Sequence, residues 1–362
     1  MKKSLLWVLC VTICISMVAT FSLVGCTQKA AETTDTQKAA ETTEAVEEEG
    51  VEGVVEAEPK LGEGMVIYMQ MAGLPGLPDT DPKIFGAQTA ADSLGVKLVM
   101  QFANWDTAVM VAQFKEAIAA QPDAIIINGM PGEEAMRPLV EEAFNDGIII
   151  SSNHIGIPAF EKEFKAKGYG YVGLEFYGTG YAQADNAIKS AGLKKGDRVL
   201  IYGYKTIPSL APLSIGAEDR FKEEGLIVDY IDITDEVYTD PVNAIPILAG
   251  YFAANPDCKA MVLWHGILTA ASGELLAGAG LKPGDIFLSG CDLGPKTVEA
   301  LEAGWVSAIG DQMLYLQGFY SLTHVVLVKA YGFPGFVMNI VPDFITKKEI
   351  GEIKKLVEKN VR

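Results

Sequence analysis

From residue 64 onward, short apolar runs alternate with amphipathic segments of helical length, and the alternation runs through two successive series. In the first series strands are expected at 66–71, 96–102, 124–128 and 148–152, with helices at 82–94, 106–121 and 132–146. In the second, strands are expected at 198–203, 226–233, 260–264, 286–290 and 305–309. Its helices are expected near 175–191, 215–224, 241–254, 266–280 and 295–304. Strand-helix alternation of this kind implies a doubly wound parallel sheet with helices on both faces. Two such series predict an α/β protein of two lobes, each with a ligand-facing edge at the carboxyl ends of its strands.

The stretch 285–312 organises the search for a site. Asp292 follows the strand at 286–290, Pro295 suits a first helical turn, and Gly304 suits a helix stop. Gln312 follows the next strand. An acceptor-only carboxylate and an amide, both at strand ends, suit a small hydroxylated ligand. Asp292 also lies three residues before Pro295, where it is equally placed to cap a helix. Trp264 and His265, at the end of 260–264, offer a ring face and a donor or acceptor; a core aromatic and a satisfied histidine are the alternative. Trp105 follows the strand at 96–102, as a stacking face or a packing residue at a helix start. Asn153 and His154 follow 148–152, and Asp79 lies in the polar loop 77–82.

The chain has 362 residues, 49% of them hydrophobic, enough for two ordinary cores. Its formal charge of −18 leaves no basic face to release counterions from nucleic acid. Lys2 and Lys3 open the chain, and residues 4–25 carry no charge. That run is long enough to span a membrane. However, Leu23-Val24-Gly25-Cys26 resembles the lipobox of bacterial lipoprotein signal peptides, which implies cleavage after residue 25 and lipidation of Cys26. Residues 26–63 read as an acidic tether without a core. They open with a tandem nine-residue repeat at 27–35 and 36–44, followed by Glu47, Glu48, Glu49, Glu52, Glu56 and Glu58. Of the five cysteines, Cys258 precedes an expected strand and Cys291 follows one. At opposite ends of parallel neighbours they lie too far apart to bridge, so no disulfide is predicted.

The chain resembles the sugar-binding type 1 periplasmic-binding-protein family, the solute receptors of ABC importers. The resemblance rests on Gly86-Ala87-Gln88-Thr89-Ala90-Ala91-Asp92-Ser93-Leu94-Gly95 in the first helix and Ala119-Ala120-Gln121-Pro122-Asp123-Ala124-Ile125-Ile126-Ile127 before the third strand. It rests also on Tyr171-Val172-Gly173 with Gly178-Thr179-Gly180, and on Val298-Glu299-Ala300-Leu301-Glu302-Ala303-Gly304. Together the segments cover nearly everything from Met65 to the C-terminus. The resemblance implies two lobes closing by hinge motion on a ligand, a class of movement for which such proteins are a standing example. Crossovers are expected near 173–175, 312–313 and 341–343. They give an N-terminal lobe of 64–174 plus 313–341 and a C-terminal lobe of 175–312 plus 342–362. Asp292 falls on the family's acidic position for sugar hydroxyls, and Gln312 on its amide position at the second crossover.

Other positions depart from the family. His265 stands where sugar binders usually carry asparagine, and Asn153-His154 where many carry Asp-Arg, so a carboxylate–guanidinium grip is absent. Arg220 is shifted along its helix from the usual arginine. The loop 77–82 supplies polar groups in place of stacking aromatics, a role left to Trp105. The resemblance implies a neutral sugar or polyol as ligand, an ABC permease as partner, a monomer, no cofactor, and a place outside the cytoplasm held by the lipid on Cys26. The departures count against an ordinary hexose or ribose. A receptor feeding a membrane sensor, and a binder of an amino acid, nucleoside or metal through His154, His265 and Asp292, are the alternatives. No nucleophile elbow, phosphate-binding loop or dinucleotide fingerprint points to catalysis.

Overall fold

The computed structural model describes residues 58–362. The proposed signal at 1–25, the lipidation site Cys26 and most of the acidic segment lie outside the described residues. Residues 60–62, expected within the tether, are instead fastened to the lobe. Lys60 Nζ donates to the Asp92 carbonyl and the Gly62 amide donates to that of Leu94 at 2.8 Å.

Twelve strands are described: β1 (Val66–Met71), β2 (Lys97–Phe102), β3 (Ala124–Asn128), β4 (Ile149–His154), β5 (Gly170–Leu174), β6 (Arg198–Gly203), β7 (Ile227–Asp232), β8 (Cys258–Leu263), β9 (Phe287–Cys291), β10 (Ala308–Asp311), β11 (Val337–Ile340) and β12 (Asp343–Thr346). They form two six-stranded sheets, ordered β11-β5-β4-β3-β1-β2 and β12-β10-β9-β8-β6-β7. Every pairing is parallel except β10 with β12. The central strands explain the apolar runs: β3 and β5 are buried at every residue, as parallel strands covered on both faces must be. The edge strands β2 and β7 begin on exposed Lys97 and Ile227.

The helices are α1 (Asp81–Leu94), α2 (Thr107–Ala119), α3 (Gly132–Asn145), α4 (Pro158–Glu163), α5 (Phe176–Ala191), α6 (Ala211–Glu223), α7 (Asp235–Thr239), α8 (Ala244–Ala254), α9 (Gly266–Ala270), α10 (Ser272–Gly278), α11 (Pro295–Glu302), α12 (Leu314–Tyr331) and α13 (Ile350–Val357). The two sheets share one winding. In each, the order reverses at the second strand in from an edge, between β1 and β3 and again between β6 and β8, where open α/β sheets leave a crevice. Each sheet also gains its last strand from the C-terminal part of the chain, β11 in one and β12 in the other.

Most expected elements are present within a residue or two, and the differences have local causes. The helix expected at 266–280 is broken into α9 and α10 at Ala271. The helix expected from 241 begins as a 3₁₀ turn at Pro241–Asn243. Strand β8 starts at Cys258 and ends at Leu263, which places Trp264 beyond the strand. Cys258 opens β8, Cys291 closes β9, and both thiols are free and buried. The segments that add β5, β11, β12 and α12 received no sequence expectation.

Candidate ligand-binding cleft

The carboxyl-end loops of the two sheets face each other across one cavity. It encloses about 640 Å³ of unfilled space, the part open to solvent included. The first lobe contributes Asp79 from the loop after β1, Trp105 after β2, Met130 after β3 and His154 at the end of β4. The other contributes Tyr204 after β6, Trp264 and His265 after β8, Cys291 and Asp292 at and after the end of β9, and Gln312 after β10. Phe176, at the start of α5, completes the aromatic wall. The lobes touch: Trp105, Met130 and Ile155 pack with the second lobe's core, and Ser209 Oγ donates to the Met130 carbonyl at 3.4 Å.

Seven of the eight expected ligand residues therefore converge: Asp79, Trp105, His154, Trp264, His265, Asp292 and Gln312. Asn153 does not. Its side chain is fully buried at the end of the sheet, where Nδ2 donates to the Gln70 and Ile127 carbonyls, each at 3.2 Å. Strand alternation is the reason: adjacent residues of β4 point to opposite faces, so only one of Asn153 and His154 reaches the cavity.

Asp292 is bound to the cleft rather than to a helix end. Its carboxylate accepts from Gln312 Nε2, while Gly294 caps α11 and Thr297 Oγ1 donates to the Asp292 backbone carbonyl at 2.8 Å. Burial first, and then the nearby Asp79 charge, raise its pKa to about 7. Asp79 is also raised by burial, although Lys83 works against that shift, and its Oδ2 is buried without a hydrogen-bond partner. His265 Nδ1 accepts from the Leu268 amide at 3.2 Å, capping α9, and burial lowers it to about 4. His154 is pushed well below the usual histidine range, chiefly by burial and secondly by the Lys83 charge. Both rings thus face the cavity as neutral imidazoles at neutral pH.

One polar chain crosses between the lobes. Gln312 holds Asp292, Gln317 on α12 donates from Nε2 to the Gln312 carbonyl at 3.0 Å, and Gln317 Oε1 lies 3.2 Å from His154 Nδ1. Backbone strain gathers in the same place. Trp105, His154, Asp292 and Met313 all adopt left-handed φ values, between 51° and 65°. Such outliers persist only where surrounding structure enforces them, and they cluster at ligand clamps.

Sequence reasoning missed Phe176, Tyr204, Tyr238 and Lys83. Tyr204 carried a signal, since it directly follows the strand at 198–203. Lys83 carried another: it falls on the helical stripe Gly86, Ala87, Ala90 and Ala91, the only charged residue on that buried face. Among the described residues no group of three His, Cys, Asp or Glu side chains is placed to hold a metal ion.

A profile described as a periplasmic binding protein domain matches residues 84–329, more than half of the chain. The chain belongs to the periplasmic binding protein family. Among curated proteins, this periplasmic binding protein is 25% identical over 223 residues to a xylose/arabinose-binding protein of Sulfolobus acidocaldarius, XylF, across 59% of its own length. It spans about half (54%) of that relative. Among solved structures, it resembles an ABC transporter solute-binding protein of Burkholderia graminis in complex with D-arabinose, with a TM-score of 0.69 and 19% identity over 80% of this chain and 97% of that one. It also resembles a carbohydrate transporter of Acidothermus cellulolyticus in complex with myo-inositol, with a TM-score of 0.68 and 20% identity over 82% and 99% of the two chains. At these identities the structures establish the shared two-lobed type 1 fold. Among the described residues, no helix is long and apolar enough to cross a membrane.

Proposed function

We propose that this periplasmic binding protein is the extracytoplasmic receptor of an ABC importer, a monomer that binds one small neutral sugar or polyol between its lobes. One observation carries the reading: Asp79 and Asp292, from opposite lobes, meet at a cavity walled by Trp105, Phe176 and Trp264. Hydroxyl groups donate to carboxylates, and aromatic faces cover the C–H faces of a sugar ring. Gln312 and the neutral His154 and His265 add donors and acceptors without adding charge. The sugar-binding relatives point the same way. Binding closes the hinge, the closed form docks on the permease, and no covalent step is involved. A lipid on Cys26 and the acidic segment after it hold the receptor to a bacterial membrane, outside the cytoplasm, on two acyl chains or more.

A thermal-shift screen of the chain from residue 58 onward tests this reading, with pentoses, hexoses, alditols, inositols, nucleosides, amino acids and divalent metals. A ligand at 100 times its dissociation constant adds about 2.7 kcal/mol, a readily visible shift. A response to a pentose, hexose or polyol is expected. A response confined to an amino acid, nucleoside or metal overturns the ligand class.

A further inference from the structure

Gly294 caps the start of α11, and its own backbone gives no reason for a glycine. Its φ of −155° and ψ of 167° are extended values open to every residue. Its amide donates to Thr297 Oγ1 at 2.8 Å, a bond that any residue except proline can make. Serine, asparagine and aspartate cap helices at least as well, because their side chains accept from the free amides of the first turn. What stands against a side chain at this position comes from the other lobe. A Cβ on Gly294 would lie 2.8 Å from Pro78 Cβ, 3.7 Å from Pro78 Cα and 3.9 Å from Pro78 Cγ, its three nearest neighbours. Carbon atoms rest roughly 3.5–4.0 Å apart, so the first of these is an overlap. The proline ring is closed onto its own backbone and cannot swing aside as a long side chain would.

Pro78 belongs to the loop 73–80 between β1 and α1, which is braced as one piece. The amides of Thr80 and Asp81 both donate to the Leu77 carbonyl at 3.0 Å, and the Gly76 amide donates to Asp81 Oδ1 at 2.7 Å. A Cβ on Gly73 would overlap Thr80 Oγ1 and come within 3.0 Å of Asp79 Oδ2, so the loop folds back onto its own first residue. The next residue after Pro78 is Asp79, which lines the cavity and whose Oδ2 is buried without a hydrogen-bond partner. On the facing lobe, Gly294 lies two residues after Asp292, which lines the same cavity.

We propose that Pro78 seating on Gly294 is the contact that ends closure of the lobes, and that Gly294 is a positioning residue of the ligand site. The side chain it lacks sets how far loop 73–80 descends, and so where Asp79 stands opposite Asp292. This rests on the ligand-binding reading of the cleft and deepens it by naming the seat on which the cleft closes. Any side chain at 294 acts as a wedge. Relieving the overlap takes about 1 Å, whereas a hydrogen bond tolerates a spread of only about 0.5 Å. The wedged lobes therefore halt with Asp79 out of reach of a ligand held by Asp292 and Gln312.

The contact is tested first without ligand, in the double variant Pro78→Cys/Gly294→Cys. With the Cα of residue 78 lying 3.7 Å from the Cβ position of residue 294, the two thiols come within disulfide reach when the lobes close. Under oxidised glutathione a 78–294 link should form, identified by peptide mapping, which distinguishes it from any link to the buried Cys258 or Cys291. Its absence overturns the proposal. Gly294→Ser then reads the consequence for binding. Because serine keeps the cap, this variant should melt like the wild type without ligand. With D-arabinose or myo-inositol as probe, calorimetry should show it binding about tenfold more weakly or worse, the effect of one lost hydrogen bond to a carboxylate. In a Pro78→Gly background, which removes the opposing Cβ, the same serine should change affinity less than about twofold. Equal losses in the two backgrounds overturn the proposal, and so does a serine variant that binds as the wild type does. A glycine needed only for folding would lower the melting temperature in both backgrounds without that coupling. If neither probe nor any other sugar binds the wild-type protein, the ligand class fails, while the 78–294 link still decides the closure contact.

Discussion

Gln312 donates a hydrogen bond from Nε2 to Asp292 Oδ1, joining the loops that follow the neighbouring strands β9 and β10. The bond leaves Gln312 Oε1 buried without a partner and the Asp292 carboxylate at the cavity wall. A site that keeps buried acceptors unmet by the protein's own donors suits a ligand that brings donors.

Asp292→Ala removes that carboxylate and strands the Gln312 amide. Sugar binding in the thermal-shift and calorimetric assays should fall at least tenfold, since a lost charged hydrogen bond is worth about 1.5–3 kcal/mol. The variant should stay folded, because Gly294 caps α11 and Thr297 Oγ1 bonds the Asp292 backbone carbonyl, neither of which the substitution removes. An unchanged affinity removes Asp292 from the site.

The same residue sets a pH dependence. Its folded pKa near 7 stands above the ordinary 3.8, so the native state keeps a proton that the unfolded chain has released. Its contribution is fully present below about pH 4 and is lost as pH rises towards 7, by about 4 kcal/mol in all. In ligand-free melts, Asp292→Asn should therefore gain on the wild type steadily between pH 4 and 7. A constant difference across that range contradicts the assignment.

His265 titrates in the opposite sense. Burial lowers it from 6.5 to about 4, so its contribution is present above pH 6.5 and is lost as pH falls towards 4, by about 3 kcal/mol. Asparagine caps helices well, so His265→Asn should keep the α9 cap that Nδ1 now makes to Leu268. Denaturant unfolding at pH 7.5 and pH 5 should show the variant near wild type at the first and more stable at the second.

Gly86→Ala would press a methyl group onto the Tyr315 carbonyl, a backbone atom that cannot swing aside. The α1/α12 crossing would have to open, at a cost of about 1–3 kcal/mol. Urea unfolding measures it, and a neutral effect would show that the two helices slide freely.

Cys26 lies outside the described residues, and its lipidation is tested by fractionation. Cys26→Ser expressed with the full leader should leave the membrane fraction. Retention there points instead to an uncleaved apolar segment at residues 4–25.

Periodicity is local, and the sequence determined by itself what locality can determine. Apolar runs such as Ile125-Ile126-Ile127 read as buried strands, and the helix stop read at Gly304 shows the left-handed φ expected of such an end. With the strands in place, Asp292, His265, Trp105 and His154 stood out as strand-end residues, and all four reach the cavity. Tertiary structure decided what depends on distant segments meeting. Asn153 and His154 are neighbours in the chain, yet the pleat of β4 turned one to the Gln70 and Ile127 carbonyls and the other to the cleft. The run 266–280 reads as one helix, but His265 caps a short first turn and the chain restarts at Ser272. Lys83 looked like one lysine among many. Only the packing of α1 against the distant α12 buried it completely, because burial depends on which surfaces meet in space and not on their order in the chain.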